Sequence, residues 1–275
     1  MKKVWLITGS SRGLGRSITA AALAGGDLVA ATARRPEVLD ELSAQYPGQL
    51  YPQQLDVTNG TNIALVVANT IAKFGRIDVL VNNAGFGILG AAEAYSQEQV
   101  DAQLATNLYA PIAITRAVLP YMRQQRSGHI LQISSIGGRV GNAALTIYQA
   151  AKFGLAGFSE ALAKEVLPLG IRVTSVEPGG FRTGAFNGMA IAPDIPGYET
   201  TVGTRTEMFK SSNFNPPGDP AKAATAILRI VNSSTPPIHL LLGSDALKRL
   251  EQAMDQHQQE MEKWRPLSIS TDTGD

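Results

Sequence analysis

The chain has 275 residues, enough for one large α/β domain with its own core. Apolar residues make up 44 % of it and charged residues 17 %, with a formal net charge of +1, which argues against a disordered chain and leaves no electrostatic footprint for nucleic acid or an anionic membrane. There are no cysteines, so disulfides, thiolate metal sites and cysteine nucleophiles are excluded; His129, His239 and His257 lack metal-ligand spacing, and no metal is expected.

Lys2 and Lys3 precede only four apolar residues, Val4 to Ile7, too few for a signal-peptide core. No apolar run reaches the length of a membrane span, so the expected location is the cytoplasm. Residues 3–8 read as a first strand, then a glycine-rich turn and a helix to about Ala24. Further strands are expected over 28–33, 50–56, 77–82, 130–134, 171–177 and 238–242. Helical patterns fall between them, over 37–45, 62–74, 97–124, 147–167 and 220–231. Strands alternating with helices imply parallel pairing, right-handed crossovers and a doubly wound, Rossmann-type sheet. The whole chain, 1–275, reads as one domain. Residues 184–217 are rich in Gly, Pro and Thr and poorly periodic, which suggests a substrate lid. Residues 245–265 read as an added charged helix, and 268–275 as frayed.

The first turn runs Thr8-Gly9-Ser10-Ser11-Arg12-Gly13-Leu14-Gly15. Glycines there let the backbone approach a pyrophosphate, and the helix N-terminus favours its charge. The spacing is G-x-x-x-G-x-G rather than G-x-G-x-x-G. Strand two ends in Ala33-Arg34-Arg35, where a carboxylate would select the ribose 2′-hydroxyl of NAD. A guanidinium matches a phosphate instead. Arg34 with Arg12 therefore reads as a 2′-phosphate clamp, giving NADP(H) over NAD(H). Arg35 is either a further phosphate contact or a solvated charge. Asp56 and Val57 end strand three, where Asp56 is placed to meet an adenine amino group and Val57 the ring. The alternative is that Asp56 caps the helix after Val57-Thr58, and both readings can hold together.

Tyr148 and Lys152 stand four residues apart on a helix and share a face. An ammonium beside a phenol lowers its pKa and makes it a usable general acid/base. Ser134 and Ser135 follow the apolar run 130–133 at a strand's carboxyl end, where ligands bind in open α/β sheets. Asn107, a mediocre helix former inside 97–124, is placed to bond the helix backbone and hold a water leading to Lys152. Asn82-Asn83-Ala84-Gly85 closes strand four and leaves room for a ribose. Pro178-Gly179-Gly180-Phe181-Arg182-Thr183 closes strand six, with Thr183 set to bond a carboxamide.

With Gly9/Gly13/Gly15, Asp56, Asn82 to Gly85, Asn107, Ser135, Tyr148, Lys152 and Pro178-Gly179 in order, the sequence resembles the short-chain dehydrogenase/reductase family from about residue 3 to 245. The resemblance implies a seven-stranded parallel sheet and a catalytic tetrad of Asn107, Ser135, Tyr148 and Lys152. It selects Ser135 over Ser134 by its distance from Tyr148. It also implies hydride transfer from the B face of NADP(H), and a homodimer or homotetramer packed through the helices around Asn107 and Tyr148. Gln149 departs from the small residue usual after the tyrosine, with little expected effect. Phe86, Ile88, Val140, Leu145, Phe186, Met189, Ile191, Met208 and Phe214 suggest an apolar carbonyl or alcohol substrate, or else simply close the lid on the core. The expected reaction interconverts a ketone or aldehyde with an alcohol. An epimerase or dehydratase on the same scaffold, or an NADP(H)-sensing protein without turnover, are the alternatives.

Overall fold

The computed structural model describes residues 2–184, 189–211 and 215–273. The strands are β1 (Val4–Ile7), β2 (Leu28–Ala33), β3 (Leu50–Gln54), β4 (Val79–Asn82), β5 (Ile88–Leu89), β6 (Gly128–Ile133), β7 (Ile171–Pro178), β8 (Ala190–Ile191) and β9 (His239–Leu242). The helices are α1 (Gly13–Ala24), α2 (Asp40–Gln45), α3 (Gly60–Phe74), α4 (Gln97–Leu104), α5 (Ala110–Gln125), α6 (Thr146–Val166), α7 (Thr204–Lys210), α8 (Pro220–Val231) and α9 (Ser244–Ile269). Seven strands form one sheet in the order β3-β2-β1-β4-β6-β7-β9, and every pairing is parallel. This is the doubly wound sheet the alternation of strands and helices predicts. The short strands β5 and β8 pair separately, in parallel.

The sheet is buried on both faces, so its central strands read as mostly apolar runs rather than alternating, with a few buried polar residues such as Asn82 and Gln132. All four residues of β1 and of β4 are buried. Trp5, Ile7, Val79 and Val81 point into one core with α1 and α8, while Leu6 and Leu80 point into a second core with α3, α5 and α6. Strand order reverses between β1 and β4, which opens a crevice beyond their carboxyl ends. The turn after β1 and the Asn82 to Gly85 segment after β4 border that crevice.

Three elements differ from expectation. The helix expected over 37–45 is a 3-10 turn, Pro36–Leu39, followed by α2. The helix expected over 97–124 is broken at a π turn, Ala105–Tyr109, between α4 and α5. The C-terminal helix runs on to Ile269 through Pro266. Ala246 and Ala253 are its buried residues, and everything described from Met254 onward is exposed. Among the described residues no helix is long and apolar enough to cross a membrane, and no cluster of metal-ligating side chains occurs.

Candidate active site

The turn after β1 is held by the protein's own polar groups. Thr8 Oγ1 accepts the N–H groups of Asn83 (2.9 Å) and Ala84 (3.1 Å). Asn83 Nδ2 donates back to the carbonyls of Thr8 (2.9 Å) and Gly9 (3.1 Å). A side chain at Gly15 would collide with Asn83 Nδ2 and the Gly9 carbonyl. Gly9 and Gly13 have φ of +68° and +56°, a region that penalises any side chain, and a Cβ on Gly13 would meet Thr183 Cβ at 3.1 Å. The glycines thus let Asn83 and Thr183 close on the turn. Leu14 anchors it from below, buried in the core. What stays open is the N-terminus of α1: Arg12 is its N-cap residue, makes no side-chain cap, and no acid stands in the first turn. Ser11 and Arg12 are exposed there. Unpaired N–H groups plus the helix dipole suit an anion.

Arg34 and Arg35 are exposed beyond the end of β2. Asp56 carries a carboxyl held below the usual range, first by the N–H and hydroxyl of Thr58 and, more weakly, by the Arg34 charge. Both Thr58 bonds fall on one oxygen, at 3.0 and 2.7 Å. Asp56 is not the cap of α3. Asn59 caps that helix, accepting from the Asn62 N–H at 3.1 Å. Val57 packs partly on the second core. These features fit a dinucleotide lying across the crevice, with its phosphates at α1.

The second cluster gathers around Gly85. Asn107 is fully buried in the π turn. Its side chain does not bond its own helix, as the sequence suggests, but reads the Phe86 backbone in both directions. Oδ1 accepts the Phe86 N–H at 3.0 Å and Nδ2 donates to the Phe86 carbonyl at 2.7 Å. The π turn has a covalent cause. Pro111, four residues after Asn107, has no N–H to give the Asn107 carbonyl and would crowd it in a regular helix. A Cβ on Gly85 would meet Asn107 Oδ1 at 2.9 Å and Lys152 Nζ at 3.7 Å, so only glycine lets these groups sit together.

Tyr148 and Lys152 lie on α6, one turn apart. Lys152 is 4 % exposed, donates to the Ile133 carbonyl at 2.8 Å, and has its ammonium 5.7 Å from the Tyr148 ring centroid. Burial pulls its pKa down to about 8. The expectation that Lys152 lowers the Tyr148 pKa is not met in this state. Burial raises the phenol above its ordinary value, and the group that pulls it back is Ser135, through a hydrogen bond. The two serines separate cleanly. Ser134 is buried, with its hydroxyl spent on the Lys152 carbonyl at 3.1 Å, while Ser135 is half-buried and turned to the phenol. Ser135 Oγ also accepts the Gly137 N–H at 3.0 Å.

Several supporting residues lack a conspicuous sequence signal. Asn82, buried, donates to Thr115 Oγ1 (3.0 Å) and Gln132 Oε1 (3.0 Å), tying β4 to α5 and β6. Gln149 matters more than expected: buried, it accepts the Asn142 N–H at 2.8 Å and donates to the Val140 carbonyl at 3.3 Å, which fixes the loop after Ser135. Asp245, at the start of α9, accepts the Gly180 N–H at 2.8 Å and occupies the space a side chain at Gly179 would need. It thereby shapes the turn after Pro178. Thr183 lies against Gly13, and its N–H donates to the Phe181 carbonyl at 2.8 Å.

Of the apolar residues read as substrate walls, Phe86, Ile191 and Met208 are exposed. Val140 and Leu145 are half-buried. Met189 covers Gly87, 2.5 Å from where a Cβ would stand and on the same side as the Tyr148 ring. Ile88 is a core residue, packed with Tyr95 and Ala192. Phe186 and Phe214 lie outside the described residues.

Residues 3–191 match the family model described as short chain dehydrogenase. The chain is 42 % identical to Oxidoreductase BOA17 of Botryotinia fuckeliana over 98 % of this chain and all of that one. A crystal structure of a short-chain dehydrogenase from Streptomyces avermitilis superposes with a TM-score of 0.93 at 42 % identity, covering 99 % of this chain and 100 % of the other. A metagenomic short-chain oxidoreductase solved in complex with NADP gives 0.70 at 28 % identity, over 87 % and 96 %. The chain therefore belongs to the short chain dehydrogenase family, NAD(P)-dependent oxidoreductases acting on alcohol and carbonyl groups.

Proposed function

We propose that this protein is an NADP(H)-preferring carbonyl reductase or alcohol dehydrogenase with Tyr148 as its acid/base. The carrying observation is the convergence of Ser135, Tyr148, Lys152 and Asn107 on the Gly85–Gly87 segment, beside the crevice where the sheet reverses. The dinucleotide, when bound, supplies or accepts the hydride. Gly9, Ser11, Arg12, Gly13, Leu14 and Gly15 hold its phosphates, and Arg12 with Arg34 takes the 2′-phosphate; Arg35 stands beside them. Asp56 and Val57 receive the adenine. Asn83, Ala84 and Gly85 border the ribose, and Pro178, Gly179 and Thr183 the carboxamide. That one similar structure carries NADP supports the cofactor choice.

Ser135 and Tyr148 bind the substrate oxygen, and Tyr148 gives it a proton as negative charge develops. A phenol raised by burial holds its proton at neutral pH, which suits donation. Lys152 places a positive charge near the ring and favours the phenolate that remains. Asn107 fixes the Phe86 backbone and offers its own carbonyl, unclaimed by Pro111, to a water on the path to Lys152. Residues 184–217 act as the lid over an apolar substrate, with Met189 at its inner edge. Tyr109 and Phe153, 60 % and 45 % exposed at the π turn and on α6, support a homodimer or homotetramer packed through those helices.

The test is NADPH consumption with a panel of ketones and aldehydes. Turnover is expected in the wild type, and Tyr148→Phe is expected to cut it by about 100- to 10,000-fold while NADPH binding persists. Undiminished turnover in the folded variant refutes the assignment.

A further inference from the structure

A second buried tyrosine plays no part in the cluster around Gly85. Tyr95 follows the 3-10 turn Ala92–Ala94 and packs with Ile88, Ala192 and Ile147. Its hydroxyl donates to two carbonyls, that of Ile88 at 2.9 Å and that of Ala144 at 3.2 Å. Burial pushes its pKa up to about 12, so the phenol keeps the proton it shares between them.

Both carbonyls belong to segments that border Tyr148. Ile88 follows Gly87, and a Cβ on Gly87 would stand 3.6 Å from the Tyr148 ring. Ala144 precedes Tyr148 by four residues, in the turn that leads into α6. That turn is strained. Among the described residues other than glycine, a positive φ occurs at Arg126, exposed after α5, and at Ala144, which has φ of +67° and is 1 % exposed. A Cβ makes this left-handed region unfavourable. No side chain caps α6. The Ala144 backbone is instead held at its carbonyl, which accepts the Tyr95 hydroxyl and, at 3.0 Å, the Gly90 N–H.

The segment under the phenol is hung from side chains in the same way. Asn107 takes both backbone groups of Phe86, Gln103 Oε1 accepts the Ile88 N–H at 3.3 Å, and Tyr95 binds the Ile88 carbonyl. Gly87 is left between these anchors, facing the ring. Of the three side chains, Tyr95 is the one that also bonds the turn before Tyr148. A single hydroxyl thus ties the Gly87 segment to the turn that carries the phenol. Without it two buried carbonyls lose their common donor, and Ala144 loses one of the two bonds that offset its strain.

We infer that Tyr95 is a positioning residue: its hydroxyl fixes the spacing between the Gly87 segment and Tyr148 and keeps the strained turn at Ala144 in place. This rests on the carbonyl–alcohol reading above, in which the Tyr148 phenol must come within hydrogen-bond reach of the substrate oxygen.

The experiment compares the wild type, Tyr95→Phe and Tyr95→Phe/Ala144→Gly in NADPH-dependent reduction of one carbonyl substrate, well below each melting temperature. Tyr95→Phe keeps the ring and its packing. It is expected to lower kcat about 10- to 100-fold, with NADPH affinity, read by nucleotide fluorescence, unchanged. Glycine takes the left-handed conformation without penalty, so the double variant should regain most of the lost kcat. A general loss of packing would weaken cofactor binding too, and removing a methyl group from the core would not repair it. Unchanged kcat in folded Tyr95→Phe, a loss that Ala144→Gly does not recover, or a parallel loss of NADPH affinity overturns the proposal. Should Tyr95→Phe not fold, Ala144→Val decides, because it keeps the hydroxyl and raises the penalty on the turn. A lower kcat with NADPH still bound then supports the proposal, and an unchanged kcat refutes it. Should the wild type reduce no carbonyl, the oxidoreductase reading fails on its own. Hydrogen exchange at the Gly90 amide, which bonds the Ala144 carbonyl, then decides the clamp. Exchange that is faster in Tyr95→Phe and slowed again in the double variant supports it, and equal exchange in all three proteins refutes it.

Discussion

The turn after β1 and the segment from Met189 to Ser211 both face the carboxyl ends of the strands, yet their polar atoms are treated oppositely. In the first, Thr8, Gly9, Asn83 and Ala84 satisfy one another, and the glycines leave no slack between them. In the second, Arg205 Nε and Thr206 Oγ1 are buried without a hydrogen-bond partner among the described residues, and a third such atom, Asp245 Oδ1, stands at the start of α9. The first is finished by the protein, whereas the second leaves polar atoms unmatched among the described residues. A preformed cradle costs little to fill, and an unfinished wall discriminates between the groups that might complete it.

The sharpest way to break this contrast is Gly15→Ala. Alanine favours a helix over glycine by about 1 kcal/mol. Here the methyl would displace Asn83, and overpacking of that kind costs about 1–3 kcal/mol, besides the lost bridge to Thr8 and Gly9. The sterics win. Melting temperature should fall, and dinucleotide affinity should drop on the order of 100-fold by fluorescence titration. Retained affinity would mean the turn is looser than its contacts imply. A smaller effect is expected from Arg34→Asp, which leaves the turn intact and changes only charge at its edge. The KM for NADPH should rise about tenfold, with NADH gaining, because a carboxylate repels the 2′-phosphate and accepts from a 2′-hydroxyl. An unchanged ratio of kcat/KM for the two cofactors removes Arg34 from the clamp.

The mildest effect concerns pH. Lys152 titrates at about 8 when folded, below its ordinary value, because burial disfavours the ammonium. Below that pH the charge stands near Tyr148, and above it the charge is lost. Reduction should therefore decline several-fold above a midpoint of about 8. Stability should move the other way. The unfolded chain still holds the proton between about 8 and the ordinary lysine value of 10.5, so folding is favoured as pH rises through that window. Activity that stays flat to pH 10 would show that the ammonium plays no part in turnover.

Much of this was legible in the sequence for physical reasons. A parallel strand buried on both faces reads as a near-continuous apolar run, so Val4–Ile7 and Val79–Val81 announce themselves. Tyr148 and Lys152 share a face by helical spacing alone. Spacing says nothing about burial, however, and burial is what raises the phenol. Asp56 and Asn59 both carry capping chemistry, and only the backbone shows that Asn59 caps α3. The bond from the Gly180 N–H to Asp245 depends on how α9 meets the turn after β7, which no local pattern encodes. The break in the helix after Gln97 had a signal that periodicity passes over, a proline four residues beyond an asparagine.

That proline has a lasting effect. A hydrogen bond can be surrendered and remade as molecules come and go, but a nitrogen without a hydrogen is fixed when the chain is synthesised. The irregular turn at Asn107 is therefore not something a visitor must induce, and it needs no energy from binding to appear. It is a permanent notch in an otherwise regular rod, present before the first encounter and after the last.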